Sequence, residues 1–509
     1  MATKKSKTFD RNNAKILLVQ PASTTQPPLG LLYISAVLKK AGYKNIKFVA
    51  INDDYNKYER STKYYKDLLK EGQDIVAITT TTPILKEAID YANLAKKYKT
   101  LTVFGGPGAT DIKEELIKKV KNLDYVFCGE AENRIAEFFD KILKKEDISN
   151  IKGIAYRKNK KYAYTGEPEL IKDLNTLPFP DRSILDFDSY SSPITILTSR
   201  GCPYNCCYCW KSIHGNWWRE RSVKNVVDEI EYLINTYEKE FNKSNRTIGF
   251  SDDNFNVDIN RAKNIAKEII RRGIKANLVF ASGLHVKTVD LELFQLLKRA
   301  GCTEIWFGME SGNEEILASL GKGINMDMVR KAVKLAKKAG IQNIGGKFIL
   351  GLPEETKKTA MDTINFAKEL KLNLVWFNHL VILPHTRLWN WGLKNAKFLY
   401  KFDKYNFKTY VCNYEEPVFE TKEFSKEERI ECYNIAVKYA NSLIKKKAFT
   451  LKTGINFLKK IKSINDLKIA LKKLYTFLFA ENLTQKLFYV KLKSKEEMSK
   501  LKKGKKHTK

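Results

Sequence analysis

The sequence predicts an α/β protein of three parts: a doubly wound, Rossmann-like domain over residues 13–148, a partial (β/α)6 barrel over 191–390, and a helical, basic region over 391–509. Three observations predict this fold class. Five short apolar runs alternate with amphipathic stretches in the first part, six more follow in the second, and the pattern after Pro384 becomes mainly helical and rich in lysine. A chain of 509 residues also exceeds what one hydrophobic core organises, so several domains are expected.

The first domain is predicted from buried strands that alternate with helices. The apolar runs are KILLVQ, IKFVAIN, DIVAITT, LTVFGG and DYVFCG, which have the length and composition of parallel strands buried on both faces. The stretch after Pro83 has the apolar face that a crossover helix lays on such a sheet, formed by Leu85, Ala88, Ile89, Ala92 and Ala95. Five strands alternating with helices predict a doubly wound sheet.

Residues 149–190 are predicted to be a linker. Within it, GIAYRKNKKYAYTGEP has the pattern of a small hairpin, and Pro178 and Pro180 interrupt any regular element. The barrel is then predicted from six further strand candidates, ITILTS, TIGFSD, ANLVFAS, EIWFGM, NIGGKFIL and LVWFNHL, which are separated by amphipathic stretches such as VVDEIEYLINTY.

Charge limits the possible partners. Lys and Arg number 91 against 58 acidic residues, which gives a formal charge of +33. Nucleic acid, anionic lipid and an acidic substrate are therefore candidate partners. Lysines occur in every segment, however, as they do on solvated helix faces. The C-terminal end is different, because residues 445–509 hold twenty Lys and four acidic residues with apolar residues between them. This fits either an amphipathic helix on an anionic membrane surface or a plain basic tail.

The sequence carries no signal for membrane insertion or export. No stretch approaches the roughly 20 apolar residues of a membrane span, so no transmembrane segment is expected. The opening MATKKSKTFDRNNAK has basic residues with no apolar core behind them, which excludes a secretory signal. We therefore expect a cytoplasmic protein.

Half of the eight cysteines fall within eight residues, at Cys202, Cys206, Cys207 and Cys209. Such a tight group in a cytoplasmic chain indicates metal rather than disulfides. In TSRGCPYNCCYCWKS, the spacing CxxxCxxC at Cys202, Cys206 and Cys209 follows a predicted strand directly, at the end where barrel enzymes place their chemistry. Three thiolates on one loop can hold three irons of a cubane and leave the fourth open to substrate. The alternatives are a closed zinc site, with Cys207 or His214 as fourth ligand, or buried free thiols.

This cysteine pattern after the first strand of a β/α barrel resembles the radical S-adenosylmethionine (radical SAM) superfamily. The resemblance spans roughly residues 191–389 and includes FSDDNF, GCTEIWFGMESG and FILGLPEET, in the family's order. It implies a 4Fe-4S cluster whose open iron is chelated by S-adenosylmethionine. One electron, supplied by a donor such as flavodoxin or ferredoxin, then cleaves the sulfonium and releases a 5′-deoxyadenosyl radical, which acts on an organic substrate of unknown identity.

The resemblance also assigns residues to S-adenosylmethionine binding. Asp252 and Asp253 end a strand and are expected to accept hydrogen bonds from the amino group, with helix capping as the alternative. Glu310 resembles the family's ribose-contacting acid, and Gly308 would let the ligand approach the backbone.

Three further residues complete this predicted site. Gly345 and Gly346 are expected to leave room for the methionine part. Tyr208 occupies the place of the aromatic residue that packs near the adenine, although core packing would also explain an aromatic there. No pattern marks a catalytic acid, base or nucleophile.

The first domain is similar to the cobalamin-binding domain of the family's cobalamin-dependent class. The motifs are VFGGPGAT and YVFCGEAE, and Gly105, Gly106, Gly108 and Gly129 would line the path of the corrinoid tail. No histidine precedes His214, so the DxHxxG loop that supplies a lower cobalt ligand in many cobalamin proteins is missing. Cobalamin is therefore predicted with another lower ligand or none, and a purely structural domain remains the alternative.

Together these features predict a radical SAM enzyme that methylates an unactivated carbon with the help of cobalamin. Cyclisation or rearrangement without methyl transfer is the alternative within the family. Methylthiolation of tRNA is disfavoured, because it needs three N-terminal cysteines and only Cys128 is present. From a different class, a non-catalytic metal-cluster module could bind nucleic acid through the basic tail.

Overall fold

The computed structural model describes residues 9–22, 26–51, 58–399 and 416–448. Two parallel sheets organise this part of the chain. The first sheet has the strand order β2-β1-β3-β4-β5-β6-β7. Its strands are β1 (Lys15–Gln20), β2 (Asn45–Ala50), β3 (Ile75–Thr79), β4 (Leu101–Gly105), β5 (Tyr125–Phe127), β6 (Ile154–Lys158) and β7 (Lys161–Tyr164).

The five predicted strands form the parallel part of this sheet, which confirms the doubly wound fold class. Alternate residues of β1 serve two cores, because Leu17 and Val19 pack in one apolar cluster and Ile16 and Leu18 in another on the opposite face. The sheet is covered by α1 (Leu29–Lys40), α2 (Thr62–Lys70), α3 (Leu85–Lys96), α4 (Pro107–Asp111), α5 (Lys113–Lys119) and α6 (Ile135–Lys144).

The predicted hairpin is present, but it is not part of a linker. Its strands β6 and β7 join the first sheet antiparallel to β5, with Tyr156 opposite Tyr125. The prediction that 149–190 is a linker is therefore wrong for residues 154–164. The reason is that β5 would otherwise be an edge strand, and the hairpin satisfies its free backbone groups. The irregular connection begins after Tyr164.

The second sheet confirms the predicted partial barrel. Its six strands are all parallel, in the order β15-β14-β13-β12-β11-β8. They are β8 (Thr195–Ile196), β11 (Thr247–Phe250), β12 (Asn277–Leu284), β13 (Cys302–Glu310), β14 (Asn343–Leu350) and β15 (Leu374–His379). The short strands β9 (Ser199–Arg200) and β10 (Arg219–Glu220) form a separate antiparallel pair after β8.

Helices cover one face of this sheet. They are α7 (Val223–Thr236), α8 (Glu238–Lys243), α9 (Ile259–Arg271), α10 (Leu291–Arg299), α11 (Glu314–Ser319), α12 (Met326–Lys338), α13 (Lys357–Glu369) and α14 (Arg387–Asn395). Side-chain caps define most of their starts, from Ser222, Asp258, Asp290, Asn313, Asn325 and Thr356. In β13, Ile305, Phe307 and Met309 pack towards these helices, so the intervening Trp306, Gly308 and Glu310 face the barrel interior.

The described part of the C-terminal region belongs to the barrel. After the pair β16 (Lys397–Phe398) and β17 (Phe419–Glu420), helix α15 (Lys426–Ala448) packs on β15 and α13. Cys432, Ala436 and Ala440 of this helix lie in the barrel core. The basic amphipathic segment predicted beyond it, and its anionic surface, lie outside the described residues. None of the helices in the described ranges combines the length and apolar character needed to cross a bilayer.

Candidate functional site

The three cysteines of the CxxxCxxC motif lie on one loop between β9 and β10, at the C-terminal end of β8. The loop turns between the second and third cysteines, where the Cys209 amide donates to the Cys206 carbonyl at 3.2 Å. Cys202 and Cys206 are half-buried, and Cys209 is exposed. We refer to residues 201–218 as the cysteine loop.

Backbone and side-chain contacts from several elements hold the cysteine loop in place. Cys207 is anchored through its main chain, because its amide donates to the Leu320 carbonyl at 2.9 Å and its carbonyl accepts from Leu388 at 3.1 Å. The Lys211 ammonium donates to the Cys202 carbonyl at 2.9 Å. Cys207, which carries the fourth thiol of the loop, is therefore anchored by its backbone, and its side chain packs against the barrel core.

An aromatic stack supports the same loop from the barrel side. The Tyr204 ring, between the first two cysteines, lies on the His285 imidazole with 3.8 Å between centroids and an interplanar angle of 7°. His285 follows β12 directly, and burial lowers the pKa of its imidazole to about 3. The neutral His285 imidazole at the end of β12 thus supports the cysteine loop by stacking on Tyr204.

The donor set of the cysteine loop fits an iron–sulfur cluster. Burial raises the pKa of the Cys206 thiol, against the opposing effect of the Lys322 ammonium, and raises that of Cys209 to about 11. All three thiols belong to one eight-residue segment of the cysteine loop. In the described part of the chain, no three His, Cys, Asp or Glu side chains converge as metal ligands do. The loop thus supplies three thiol ligands that are close in the sequence, but their side chains are not arranged as a closed coordination shell.

Glu310 brings a buried ion pair to the edge of the cysteine loop. Its backbone has φ of 63°, and its carboxylate pairs with the Lys322 ammonium at 2.5 Å. Burial raises the pKa of the Tyr208 hydroxyl well above its usual value, and the neighbouring Glu310 carboxylate and Cys206 thiol add to this effect. The structure therefore joins Tyr208, Glu310 and Cys206, which the sequence predicted separately, and adds Lys322, which it did not.

Gly308 leaves room for this ion pair. A Cβ atom there would lie 2.5 Å from both the Glu310 carboxylate and the Lys322 ammonium. The Lys322 ammonium also donates to the Gly308 carbonyl at 2.7 Å. Approach of a ligand to the Gly308 backbone stays a prediction.

The two neighbouring aspartates after β11 have different surroundings. Asp252 is 1% exposed, and its carboxylate accepts from the Thr198 amide, the Thr198 hydroxyl and the Ser199 hydroxyl. Asp252 is therefore engaged within the protein, and its predicted contact to a ligand amino group stays a prediction. Asp253 is exposed and accepts from the Gly201 amide at 3.2 Å, beside the first cysteine.

The strand glycines Gly345 and Gly346 are also filled by protein. A Cβ on Gly345 would lie 2.4 Å from the Trp306 indole, and one on Gly346 would lie 2.6 Å from Leu372. Packed side chains thus lie against both glycines, and room for a methionine moiety beside them stays a prediction. In the sequence, the large Trp306 on the adjacent strand was the available signal.

In the first domain, the glycine turn after β4 packs directly against the loop after β3. A Cβ on Gly106, which has φ of 91°, would lie 2.6 Å from the Thr80 carbonyl oxygen, and one on Gly108 would lie 2.7 Å from the Thr81 backbone. Gly105 has more room, with its nearest neighbour at 3.8 Å. Gly129, with φ of 72°, packs against Pro168. These positions allow the two loops to touch at the strand ends.

A small, mainly apolar cavity lies where the two domains meet beside this turn. Gly108 and Asp111 line it from the first domain, and Trp210, Pro384 and His385 line it from the barrel. Burial raises the pKa of Asp111 to about 6, against the opposing effect of His385. Trp210 is one residue beyond the third motif cysteine, so the cavity connects the cysteine loop to the glycine turn. Sequence reasoning missed Asp111, Trp210 and His385 because no motif contains all three.

A buried ion cluster joins the two domains a short distance away. Arg200 bonds to Glu130 at 2.8 Å and to Glu132 at 2.6 Å, and Arg219 bonds to Glu130 at 2.7 Å. The His214 Nδ1 atom of the cysteine loop accepts from the Arg219 guanidinium at 3.1 Å. We call these five residues the interdomain ion cluster. Its acidic half was visible in the sequence as GEAE after a strand, but its partners were not.

Comparison with known proteins matches both halves of the chain. Residues 196–367 match the Radical SAM superfamily, and residues 16–139 match the B12 binding domain. An uncharacterized methyltransferase of Pyrococcus horikoshii is 31% identical over 430 residues, which is 81% of this chain and 89% of the relative.

Two solved structures share the fold at lower identity. The radical S-adenosylmethionine methyltransferase TsrM of Kitasatospora setae, with cobalamin and a 4Fe-4S cluster bound, aligns with a TM-score of 0.61 at 20% identity, over 73% of this chain and 76% of its own. The cobalamin-dependent S-adenosylmethionine radical enzyme OxsB, with aqua-cobalamin and S-adenosylmethionine bound, aligns with a TM-score of 0.66 at 18% identity, over 96% of this chain and 74% of its own.

Proposed function

The chain belongs to the radical SAM superfamily, in the class that also carries a B12-binding domain, and we propose that it methylates an unactivated carbon of an organic substrate. The proposed cofactors are a 4Fe-4S cluster, S-adenosylmethionine and cobalamin. Membership of this family makes the chain an enzyme. The alternative prediction, a non-catalytic nucleic-acid-binding module, is therefore wrong.

One observation carries the proposal: the cysteine loop lies against the strand ends of the first domain. Arg200, two residues before Cys202, bonds to Glu130 and Glu132 after β5, and Trp210 shares a cavity with the glycine turn after β4. Open parallel sheets bind ligands at the carboxyl ends of their strands. A cofactor on the first domain would therefore lie next to a cluster on the second.

This adjacency suits a reaction that needs both cofactors. When bound, the cluster supplies one electron for cleavage of a sulfonium, and the corrinoid supplies a transferable methyl group. An unactivated carbon has neither the acidity nor the nucleophilicity that polar methyl transfer requires. Hydrogen abstraction followed by methyl transfer overcomes this limit, provided that the protein keeps both reactive centres near one substrate carbon.

The residues of the chain would share this task as follows. Cys202, Cys206 and Cys209 would hold the cluster, and Cys207 would keep the loop in place through its backbone. Asp253, which is exposed beside Cys202, is the aspartate available to the amino group of S-adenosylmethionine.

Glu310 and Tyr208 are proposed to orient the nucleoside part of that ligand. The Lys322 ammonium holds the Glu310 carboxylate in one orientation through their ion pair, and carboxylate oxygens can accept hydrogen bonds from ribose hydroxyls. The Tyr208 hydroxyl neighbours both Glu310 and the proposed cluster ligand Cys206, which supports an adenine contact of the ring. A flavodoxin- or ferredoxin-type electron donor and a cytoplasmic location stay predictions.

The corrinoid is proposed to lie over the glycine turn that contains Gly105, Gly106 and Gly108, with Gly129 on the neighbouring loop. The Thr80 hydroxyl braces this turn by donating to the Gly105 carbonyl at 2.9 Å and accepting from the Ala109 amide at 2.7 Å. Close backbone packing of this kind leaves amide groups, rather than side chains, at the sheet edge, as in other nucleotide-like sites.

The test begins with anaerobic purification in the presence of hydroxocobalamin, followed by cluster reconstitution and dithionite reduction. We expect a retained corrin spectrum, and release of 5′-deoxyadenosine from S-adenosylmethionine. Triple replacement of Cys202, Cys206 and Cys209 by alanine should remove the iron and abolish nucleoside release, because three ligands are lost at once. Cys207→Ala is the matched control, since it removes a thiol from the same loop and should leave both intact.

Transfer of an isotopically labelled methyl group from S-adenosylmethionine separates methylation from the alternative. Label that appears on the bound corrinoid supports methyl transfer. Nucleoside release by a corrinoid-loaded protein that never takes up label would instead favour cyclisation or rearrangement. Iron retained by the triple cysteine variant would contradict the proposed cluster site.

A further inference from the structure

The interdomain ion cluster has an arrangement that its members could not adopt alone. Arg200 of β9 and Arg219 of β10 are directly opposite each other in an antiparallel pair. Like charges in this position repel, and both side chains are at most 8% exposed. Glu130 lies between the two guanidinium groups and offsets this repulsion, and Glu132 is a second partner of Arg200.

Glu130 satisfies both arginines at once. One carboxylate oxygen accepts from Arg200 at 2.8 Å, and the other accepts from Arg219 at 2.7 Å and from the Ile171 amide at 2.7 Å. Burial opposes its ionisation, but the hydrogen bonds and charges of Arg219 and Arg200 outweigh burial and lower the pKa of Glu130 to about 2. The carboxylate is therefore charged throughout the physiological range.

Glu130 and its two arginine partners come from different domains. Strands β9 and β10 flank the cysteine loop on both sides, so Arg200 and Arg219 are the two ends of that loop. Glu130 follows β5 of the first sheet, next to the positive-φ turn at Gly129. One carboxylate on the first domain thus holds both ends of the loop that carries the cysteines on the second domain.

We propose that Glu130 is a positioning residue that fixes the cysteine loop relative to the first domain, and so sets the separation between the cluster and the corrinoid. The consequence for separation rests on the proposed function, whereas the fixing of the loop does not. A carbon radical and a methyl donor react only at close contact, so a small displacement between the two compartments would slow transfer strongly.

Glu130→Gln tests the proposal, because the amide keeps the size of the side chain but removes its charge. Glu229→Gln is the matched control. Glu229 is also fully buried between two arginines, Arg182 and Arg221, but neither partner lies in the first domain. The two variants therefore lose the same kind of interaction in different places.

The first measurement is amide hydrogen exchange in the full-length, reconstituted protein. Glu130→Gln should speed exchange of the cysteine loop by roughly tenfold or more, since two buried guanidiniums lose their common partner. Glu229→Gln should leave exchange of the loop as in the unaltered chain. Equal protection of the loop in Glu130→Gln and the unaltered protein would overturn the proposal.

The second measurement follows the separation of the two cofactors without turnover. With hydroxocobalamin bound and both centres reduced by dithionite, the nearby paramagnetic cluster should speed relaxation of the Co(II) electron spin. Power saturation should shift in Glu130→Gln towards the value of the cluster-free triple cysteine variant, and should not shift in Glu229→Gln. Unchanged saturation in Glu130→Gln would overturn the role in cofactor separation.

The proposal can still be tested if the protein binds no corrinoid or if Glu130→Gln does not fold. If no variant retains corrinoid, the proposed function is wrong, and hydrogen exchange alone decides whether Glu130 fixes the loop. If Glu130→Gln does not fold, Arg200→Lys replaces it, because the lysine keeps the charge and loses the forked contact to Glu130 and Glu132. Arg200→Lys should give a smaller effect of the same sign, and no effect on the loop would overturn the proposal.

Discussion

Two buried carboxylates in this protein lie near arginines but differ in their ionisation. Glu130, between the domains, is bonded by Arg200 and Arg219, and its pKa is lowered to about 2 although burial opposes this. Glu355, beneath α15, is completely buried, and burial raises its pKa to about 7 despite the nearby Arg429.

The difference lies in where the guanidinium groups point. The Arg429 group donates to the Phe424 and Gly351 carbonyls, at 2.9 and 3.4 Å. Within the described ranges, the Glu355 Oε1 atom has no hydrogen-bond partner. An arginine therefore keeps a buried carboxylate ionised when its fork is bonded to it, and does much less when it only lies close by.

The largest change in stability is expected when Glu130, the carboxylate bonded by two arginines, loses its charge. Glu130→Gln should lower the free energy of unfolding by about 3 kcal/mol near neutral pH, because two buried guanidiniums lose their partner. A lowered folded-state pKa gives stability that is present above the unfolded value of about 4.5 and is lost as the pH falls towards 2. Thermal unfolding between pH 3 and 7 should therefore show an acid-side decline that is shallower in the variant. An equal acid-side decline in Glu130→Gln and the unaltered protein would contradict the lowered pKa of Glu130.

The opposite sign is expected at Glu355. A raised folded-state pKa gives stability that is present below about 4.5 and is lost as the pH rises through 7. Glu355→Gln, which resembles the protonated form, should be more stable than the unaltered protein at pH 8, by up to about 3 kcal/mol, and nearly equal at pH 5. The exposed neighbour supplies the control, since Glu354→Gln should leave the pH dependence of the melting temperature unchanged.

A smaller effect is expected at His379, whose imidazole is close to Arg429. Its imidazole lies 4.4 Å from the Tyr433 ring, and within the described ranges neither ring nitrogen has a hydrogen-bond partner. Burial lowers its pKa to about 3, so the ring is neutral in the folded protein. His379→Phe keeps the ring contact and removes the unpaired nitrogens, so it should stabilise the protein by about 1 kcal/mol. A lower melting temperature at pH 7 would mean that the imidazole has a partner.

The fold could be predicted from the sequence because each strand carries its own signal. The runs KILLVQ and NIGGKFIL are short, apolar and bounded by turns, and both became strands of the expected sheets. The hairpin at residues 154–164 was recognised as a hairpin but assigned to a linker. Its local pattern is the same in either place, and only pairing with β5 makes it part of the sheet.

The candidate site was harder to predict, because its contacts join distant residues. Asp252 and Asp253 are neighbours in the sequence, yet the first is buried under Thr198 and the second is exposed beside Gly201. Strand glycines give the same signal whether they make room for a ligand or for an indole, as at Gly345. Glu130 meets Arg219 across 89 positions, and no local pattern encodes such a pair.

Helix α15 has a consequence for how small the catalytic unit can be made. The superfamily match ends at residue 367, before β15 begins, and α15 follows almost sixty positions later. Because this helix buries Cys432, Ala436 and Ala440 against the barrel, a fragment trimmed to the matched region would leave an apolar edge open to water and to other chains. A fragment therefore has to reach residue 448 to keep this edge covered, and truncations made upstream of the helix should aggregate before their chemistry can be measured.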